Sequence, residues 1–433
     1  MKALYIVILV VSIQFSCTSQ EVVEKSKSLE PVLQTIKTID PKDENYSDLQ
    51  FLKNIIERDS VQVIMLGEQT HGDGSTFLAK SRLIKFLHKE VGFDVLAFES
   101  GLFDCTNAWK DIQRTGNYSE GIRKAVFPMW VNSNECEELV RYLQSTLQTT
   151  RPLELSGFDS QLTGYESCQL LLEQLYEHEL NFLTQGEKNL FVKIVCLEEE
   201  VKSGKDRTYN NNLVDKIIYG LDSLTKIDPG FEFWKLVVEG VKINYNDYLA
   251  MKYESANYND AELINARDKQ MGKNLVWLAQ NKLKGKRIIV WAASFHNSRN
   301  LSALYGKEAD STFVNNLNKK TKTMGDIVYS AIGSKMYSIV FTGYQGSSRN
   351  IQKYNETEII KASENTLEHI LKISGQENSF IDLRSSSNPK WLNEKFIMRP
   401  LGNKEMEGQW SLSTDGVFYT RDMKPSTFGN NNE

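Results

Sequence analysis

In the stretch VIMLGEQTHGDGS, Val63–Ser75, an apolar run ends in Glu68, His71 and three glycines. A carboxylate three residues from an imidazole can orient the ring and raise its basicity, making a general base near neutral pH. Three further apolar runs end on groups able to do chemistry. LAFES carries Glu99, GFDS carries Asp159 and IIVWAASFH closes on His296. A charge at the end of a buried run is costly unless it is paired or meets water. Glu68, His71, Glu99 and His296 are therefore read as one catalytic set, with Asp159 as a weaker companion. Two imidazoles and two carboxylates could also supply a metal's ligands, so a metal at the same site stays open beside the preferred, cofactor-free reading.

Other chemistries fit less well. A glycine-rich turn between a strand and a helix can cradle a phosphate on backbone N–H groups. Here no GK[ST] or GxGxxG is present, and Glu68 and Asp73 would repel an anion. The glycines are expected instead to permit a sharp turn and close approach of a ligand. No GxSxG occurs, so a serine nucleophile elbow is absent. Cys105 reads as a small buried thiol. His88, His178 and His369 lie in polar helical contexts and read as surface residues.

These groups need a scaffold that gathers strand ends. Residues 61–68, 94–100, 153–160, 287–296 and 336–344 are short apolar segments separated by helical pattern. They predict an α/β fold: a mostly parallel sheet with helices on both faces and ligands beyond the carboxyl ends of its strands. In the first crossover, Phe77, Ile84, Leu87 and Val91 share a helical face, Lys80, Lys85 and Lys89 fall largely elsewhere, and Gly92 closes the helix. From about 166 to 284 strand signals vanish, which predicts a helical lobe inserted between an α/β core of residues 46–165 and a second core part, 285–433. That second part includes a weakly patterned C-terminal extension with a frayed end.

The 433-residue chain has a net charge of −5, which gives no electrostatic case for nucleic-acid binding. At its N-terminus Lys2 precedes an apolar run, Ala3–Ile13, that is short for a membrane span, and then Ser16 and Cys17. Residues 1–17 are expected to be a lipoprotein-type signal with Cys17 as the acylated first mature residue, and 18–45 a polar tether. The protein would then be exported and held at the membrane by its lipid alone, facing the periplasm or cell surface. Cys105, Cys136, Cys168 and Cys196 remain, an even number that permits disulfides in an exported protein, although a core of this size does not need them.

Several spaced motifs resemble the erythromycin esterase family, including its succinoglycan-biosynthesis-like relatives. They are GEQTHG (67–72), RLIKFLHKEVGFDVLAFES (82–100), FPMW (127–130), GFDS (157–160), ARDKQMGKNLVWL (266–278), IIVWAASFH (288–296) and YSIVFTGYQG (337–346). The resemblance implies a cleft between an α/β core and a helical lobe. It also implies a small-molecule ester or lactone substrate and a His-centred hydrolytic site without a covalent serine. His71 would activate water, Glu68 would tune it, and Glu99 and His296 would complete the pocket. Lys80, Arg82, Asp159, Arg267 and Asp268 are expected to hold the substrate. The chain departs from the family pattern in three places. Ser75 stands where macrolide esterases usually carry Glu, Lys80 replaces an Arg, and Ala293 replaces the first His of an HNAH-like motif. These changes alter groups that would hold substrate or a developing oxyanion, so no substrate is named. More distant likeness of the GExxH strand end keeps a metal-dependent hydrolase or peptidase, and a haem- or glycan-binding lipoprotein, as further alternatives.

Overall fold

The computed structural model describes residues 20–164, 166–253, 261–306 and 318–429. The expected signal segment and Cys17 lie outside them. Five apolar runs become parallel strands: β2 (Val63–Glu68), β3 (Val95–Gly101), β4 (Glu154–Asp159), β5 (Ile288–Ala293) and β7 (Met336–Asn350), after a short β1 (Gln34–Thr35) at one sheet edge. With β8 (Asn355–Ile359), β9 (Asn378–Asp382) and β12 (Gly416–Met423) they form a nine-stranded sheet ordered β1-β9-β12-β7-β2-β5-β3-β4, β8 pairing with β7. The run from β12 to β4 is parallel, while β1, β8 and β9 pair antiparallel.

Alternate residues of each central strand enter cores on opposite faces. Ile64, Leu66, Leu96, Phe98, Ile289 and Trp291 point one way. Val63, Met65, Val95, Ala97, Ile288 and Val290 point the other. A strand buried on both faces must be apolar at every position, which explains the unbroken runs in the sequence.

Between β4 and β5 the described residues are helical. Ser167–Tyr176, Gln185–Val195, Arg207–Thr225 and Phe231–Tyr253 pack as a lobe, and Ala261–Trp277 returns across the sheet. That last helix is no detached part of the lobe: Met271 and Leu275 pack with Val95 and Ile288, and Asn274 donates to the Phe158 carbonyl. A disulfide joins Cys168 to Cys196 within the lobe, while Cys105 and Cys136 are free and buried. Among the described residues no helix is long and apolar enough to cross a membrane.

Two expectations are corrected. Residues 30–45 are no loose tether: β1 joins the sheet, Ile36 is in the core, and the carbonyls of Thr38, Asp43 and Asn45 bind the Arg82 guanidinium. The C-terminal stretch is no appendage either. β9 and β12 widen the main sheet, and β10 (Phe396–Leu401), β11 (Lys404–Gly408) and β6 (Tyr305–Gly306) make a second, three-stranded sheet.

Candidate active site

Glu68 is the last residue of β2 and its side chain is fully buried. Burial would be prohibitive for an unpaired carboxylate, and both oxygens are held. Oε1 takes the Trp130 indole N–H at 2.8 Å and lies 2.8 Å from His71 Nδ1. Oε2 takes the Lys80 ammonium at 2.5 Å, which also donates to the Ala292 carbonyl and stands over the Trp291 ring. Trp130 meets the His71 ring edge-on, so the imidazole is fixed by a hydrogen bond and an aromatic wall. With a carboxyl group at Nδ1, the neutral ring carries its hydrogen on Nδ1 and leaves the Nε2 lone pair free. His71 is 29% exposed, and Nε2 makes no hydrogen bond among the described residues.

A second cluster adjoins the first. Glu99, in β3 two residues before its end, accepts the Ala293 N–H at 2.9 Å and the Arg267 guanidinium at 2.9 Å. Arg267 also clasps Asp159, the last residue of β4, at 2.6 and 3.1 Å. His296 Nδ1 lies 3.0 and 2.9 Å from the two Asp268 oxygens, and Nε2 lies 3.3 Å from Glu99 Oε1. His296 does not finish a strand as expected: it sits in a single helical turn, Ser294–Asn297, that follows β5. The turn swings the imidazole towards Asp268 and Glu99.

Glu68, Glu99 and Asp268 lie against the two imidazoles and favour protons on them. Burial opposes an imidazolium at His71, yet the Glu68 hydrogen bond and the charges of Glu99 and Glu68 outweigh it and raise the pKa. Burial likewise opposes it at His296, and Asp268 and Glu99 outweigh burial and Arg267. Burial alone would raise Glu99, but His296, Arg267 and His71 bring it down to about 2. Burial pushes Lys80 down against the pull of Glu68.

His71 and Ala293 lie where two cavities meet. One, about 600 Å³, opens under the lobe with Arg267, Asp268 and His296 in its floor. The other, about 700 Å³, lies beside the β7–β8 hairpin. Both sizes suit small molecules, whose sites span about 300–1,000 Å³.

Not every expected residue belongs here. Arg82 is buried away from both cavities, paired with Asp48 at 2.8 and 3.0 Å, so it fastens the N-terminal segment and is not brought to the cleft. Lys80 and Lys85 are buried as well; the polar side of their helix, Gly74–Phe86, is covered by Glu68 and by residues 38–48. Ser75 binds Lys424 in both directions and lines neither cavity. His88 is no surface residue: it is buried between the Tyr142 hydroxyl and the Arg151 carbonyl. The loop glycines also serve another end. A Cβ at Gly72 would fall 1.8 Å from the Arg349 carbonyl oxygen, and one at Gly74 2.4 Å from that of Pro425. The close approach they permit is by backbone, not ligand.

Two residues at the site were missed. Trp130 carried a signal, since it ends the FPMW motif and a buried indole needs an acceptor. Asp247, on the Phe231–Tyr253 helix, lines the lobe cavity, and burial lifts its carboxyl to about 6. Its helix was legible, but which face met the cleft was not. Among the described residues no three His, Cys, Asp or Glu side chains are grouped as a metal's ligands would be.

A parallel α/β sheet carrying a histidine–carboxylate centre at its strand ends, beneath a helical lobe, defines a class of cleft proteins. The erythromycin esterase family model matches residues 88–422, and the chain belongs to that family of hydrolases. It is 24% identical over 412 residues to the putative hydrolase YbfO of Bacillus subtilis (strain 168), covering 90% of this chain and 89% of that one. It is 20% identical over 405 residues to erythromycin esterase type II of Escherichia coli, covering 87% and 92%. A solved structure of a mutant of the erythromycin esterase EreC, in its open conformation, superposes with a TM-score of 0.69 at 14% identity, covering 91% of this chain and 98% of that one. At that identity the likeness shows a shared fold.

Proposed function

We propose that this protein hydrolyses a carboxylic ester or lactone with water activated by His71, without a metal. The observation that carries the reading is the Glu68–His71 pair, whose free Nε2 lies at the junction of two cavities. His71 Nε2 takes a proton from water as the oxygen attacks the carbonyl carbon. Negative charge develops on the carbonyl oxygen, and the His296 imidazolium and the Arg267 guanidinium, in the adjoining floor, are the cations placed to meet it. The His71 proton then passes to the departing alkoxide, leaving acid and alcohol. Glu99, Asp159 and Asp268 hold those cations in place.

In His71→Ala, turnover of an accepted ester is expected to fall by about 10²–10⁴-fold, the usual share of a general base. A folded variant with near-wild-type turnover sinks the mechanism. Dialysis against a chelator should leave wild-type turnover unchanged.

We also propose that the protein is exported and lipid-anchored through Cys17. The Cys168–Cys196 disulfide supports this, since such bonds persist in oxidising compartments. Radiolabelled palmitate should enter the wild type and not Cys17→Ala; label in neither rejects the anchor.

A further inference from the structure

The two cavities that meet at His71 differ in chemistry. The wall of the lobe cavity is mostly apolar, with Val195, Leu197, Val241, Met251, Leu263 and Ile264 beside Gln161, Asn244 and Asp247. The hairpin cavity presents the amides and hydroxyl of Asn350, Gln352, Thr357 and Asn403 beside Ile351, Ile359 and Ile360, while the Gln69 amide N–H groups are taken by Asn403 and the Arg399 carbonyl. Its larger charged side chains are already engaged. Arg399 binds the carbonyls of Gly343 and Tyr344, Arg349 those of Ser426 and Tyr354, and Glu405 holds Ser363. Glu358 and Lys361 add one charge of each sign. The surface left to a ligand suits a neutral, many-hydroxyl group rather than an ion.

The direction of the substrate follows from the carbonyl. The cations suited to a developing oxyanion, His296 and Arg267, line only the lobe cavity, and the carbonyl oxygen belongs to the acyl half of an ester. With the oxygen turned to those cations, the apolar wall of the same cavity suits the acyl chain, and the hairpin cavity is left to the alcohol half. Ala293, whose side chain is a single methyl group, lines both cavities and keeps the neck between them open.

Resting on the esterase reading above, we propose that the substrate class is an apolar acyl group esterified to a sugar or similar polyol. The acyl chain occupies the lobe cavity and the polyol the hairpin cavity. Water adds its oxygen to the acyl carbon and its hydrogen to the polyol oxygen.

The test compares octanoylglucose, methyl octanoate and acetylglucose as substrates of the wild type. Octanoylglucose is expected to have a kcat/KM at least about tenfold above both, a factor well within what one pocket supplies. In Gln352→Leu/Thr357→Val its advantage over methyl octanoate should shrink about tenfold, and in Ile264→Gln its advantage over acetylglucose should do the same. Hydrolysis of methyl octanoate as efficient as that of octanoylglucose overturns this proposal while the esterase reading stands. Failure to hydrolyse any of the three counts against that reading instead. Binding then decides the substrate class without turnover. By calorimetry, octyl glucoside below its micelle concentration should bind at least about tenfold tighter than glucose to the wild type, and lose that advantage in Ile264→Gln. Equal or absent binding of the two overturns the proposal.

Discussion

Asp268 holds His296 Nδ1 with both carboxylate oxygens, at 3.0 and 2.9 Å, and its Oδ1 also takes the Met324 N–H at 2.7 Å. Asp268 is thus fixed by the start of the Met324–Ile332 helix before it meets the imidazole. The ring is oriented by a group that is itself held from a second element, which is what the proposed oxyanion partner requires.

Asp268→Asn should therefore remove the charge that lifts His296 and let burial prevail. NMR titration should show the His296 pKa falling. kcat should drop about 10²-fold, the loss typical of one oxyanion partner, with KM changed far less. An unchanged His296 titration would refute this account of its charge.

The pH profile carries a sign. In the proposed mechanism His71 works as the neutral base, and its pKa is raised above 6.5 by Glu68 and Glu99 despite burial. Activity should be lost as pH falls through that raised value, so the acid limb of kcat/KM lies above 6.5. Glu68→Gln removes the hydrogen-bonded charge, and the limb should move to lower pH. A limb that stays in place assigns it to another group.

Arg82→Ala separates stability from catalysis. It leaves the Asp48 carboxylate buried beside an empty space, which costs about 3–5 kcal/mol when such a pair is broken. Urea denaturation should show that loss, while KM measured well below the unfolding transition stays at the wild-type value. A raised KM in the folded variant would return Arg82 to the substrate site.

The disulfide closes a separation of 28 residues, for which loop entropy gives about 3–4 kcal/mol. Cys196 is flanked by Val195 and Leu197 of the lobe cavity. Reduction, or Cys168→Ser/Cys196→Ser, should make 167–225 cleavable by limited proteolysis and raise KM before kcat changes. Equal proteolysis with and without reductant would show that the lobe does not depend on the bond.

The central strands were legible because burial on both faces forces unbroken apolar runs, and the polar residues ending them mark the strand ends that gather at the site. Glu68, Glu99, Asp159 and His296 could be picked out on that ground alone. The turn that carries His296 was not legible, because four residues are too few for a period. β9 (NSFID) and β12 (GVFYTRDM) mix polar with apolar residues although both lie inside the sheet, and so escaped notice. The burial of Lys80 and Arg82 depends on partners distant in sequence, Glu68 and Asp48, and helical periodicity reports only a residue's own face. Trp130 acts on a carboxylate 62 residues away. Such pairings exist only after folding.

Gly72 and Gly74 are pressed against Arg349 and Pro425, and Ser75 grips Lys424 across 349 residues of chain. During synthesis the loop that bears His71 is made early, but part of its support is made last. Until the segment around 424–426 arrives, Gly74 and Ser75 lack the backbone they pack against, while Glu68, Trp130 and Arg349 are already made. A ribosome-bound fragment lacking that segment would carry every proposed catalytic residue on a loop supported from one side alone, and shortening the chain there should lower activity at a centre it never touches.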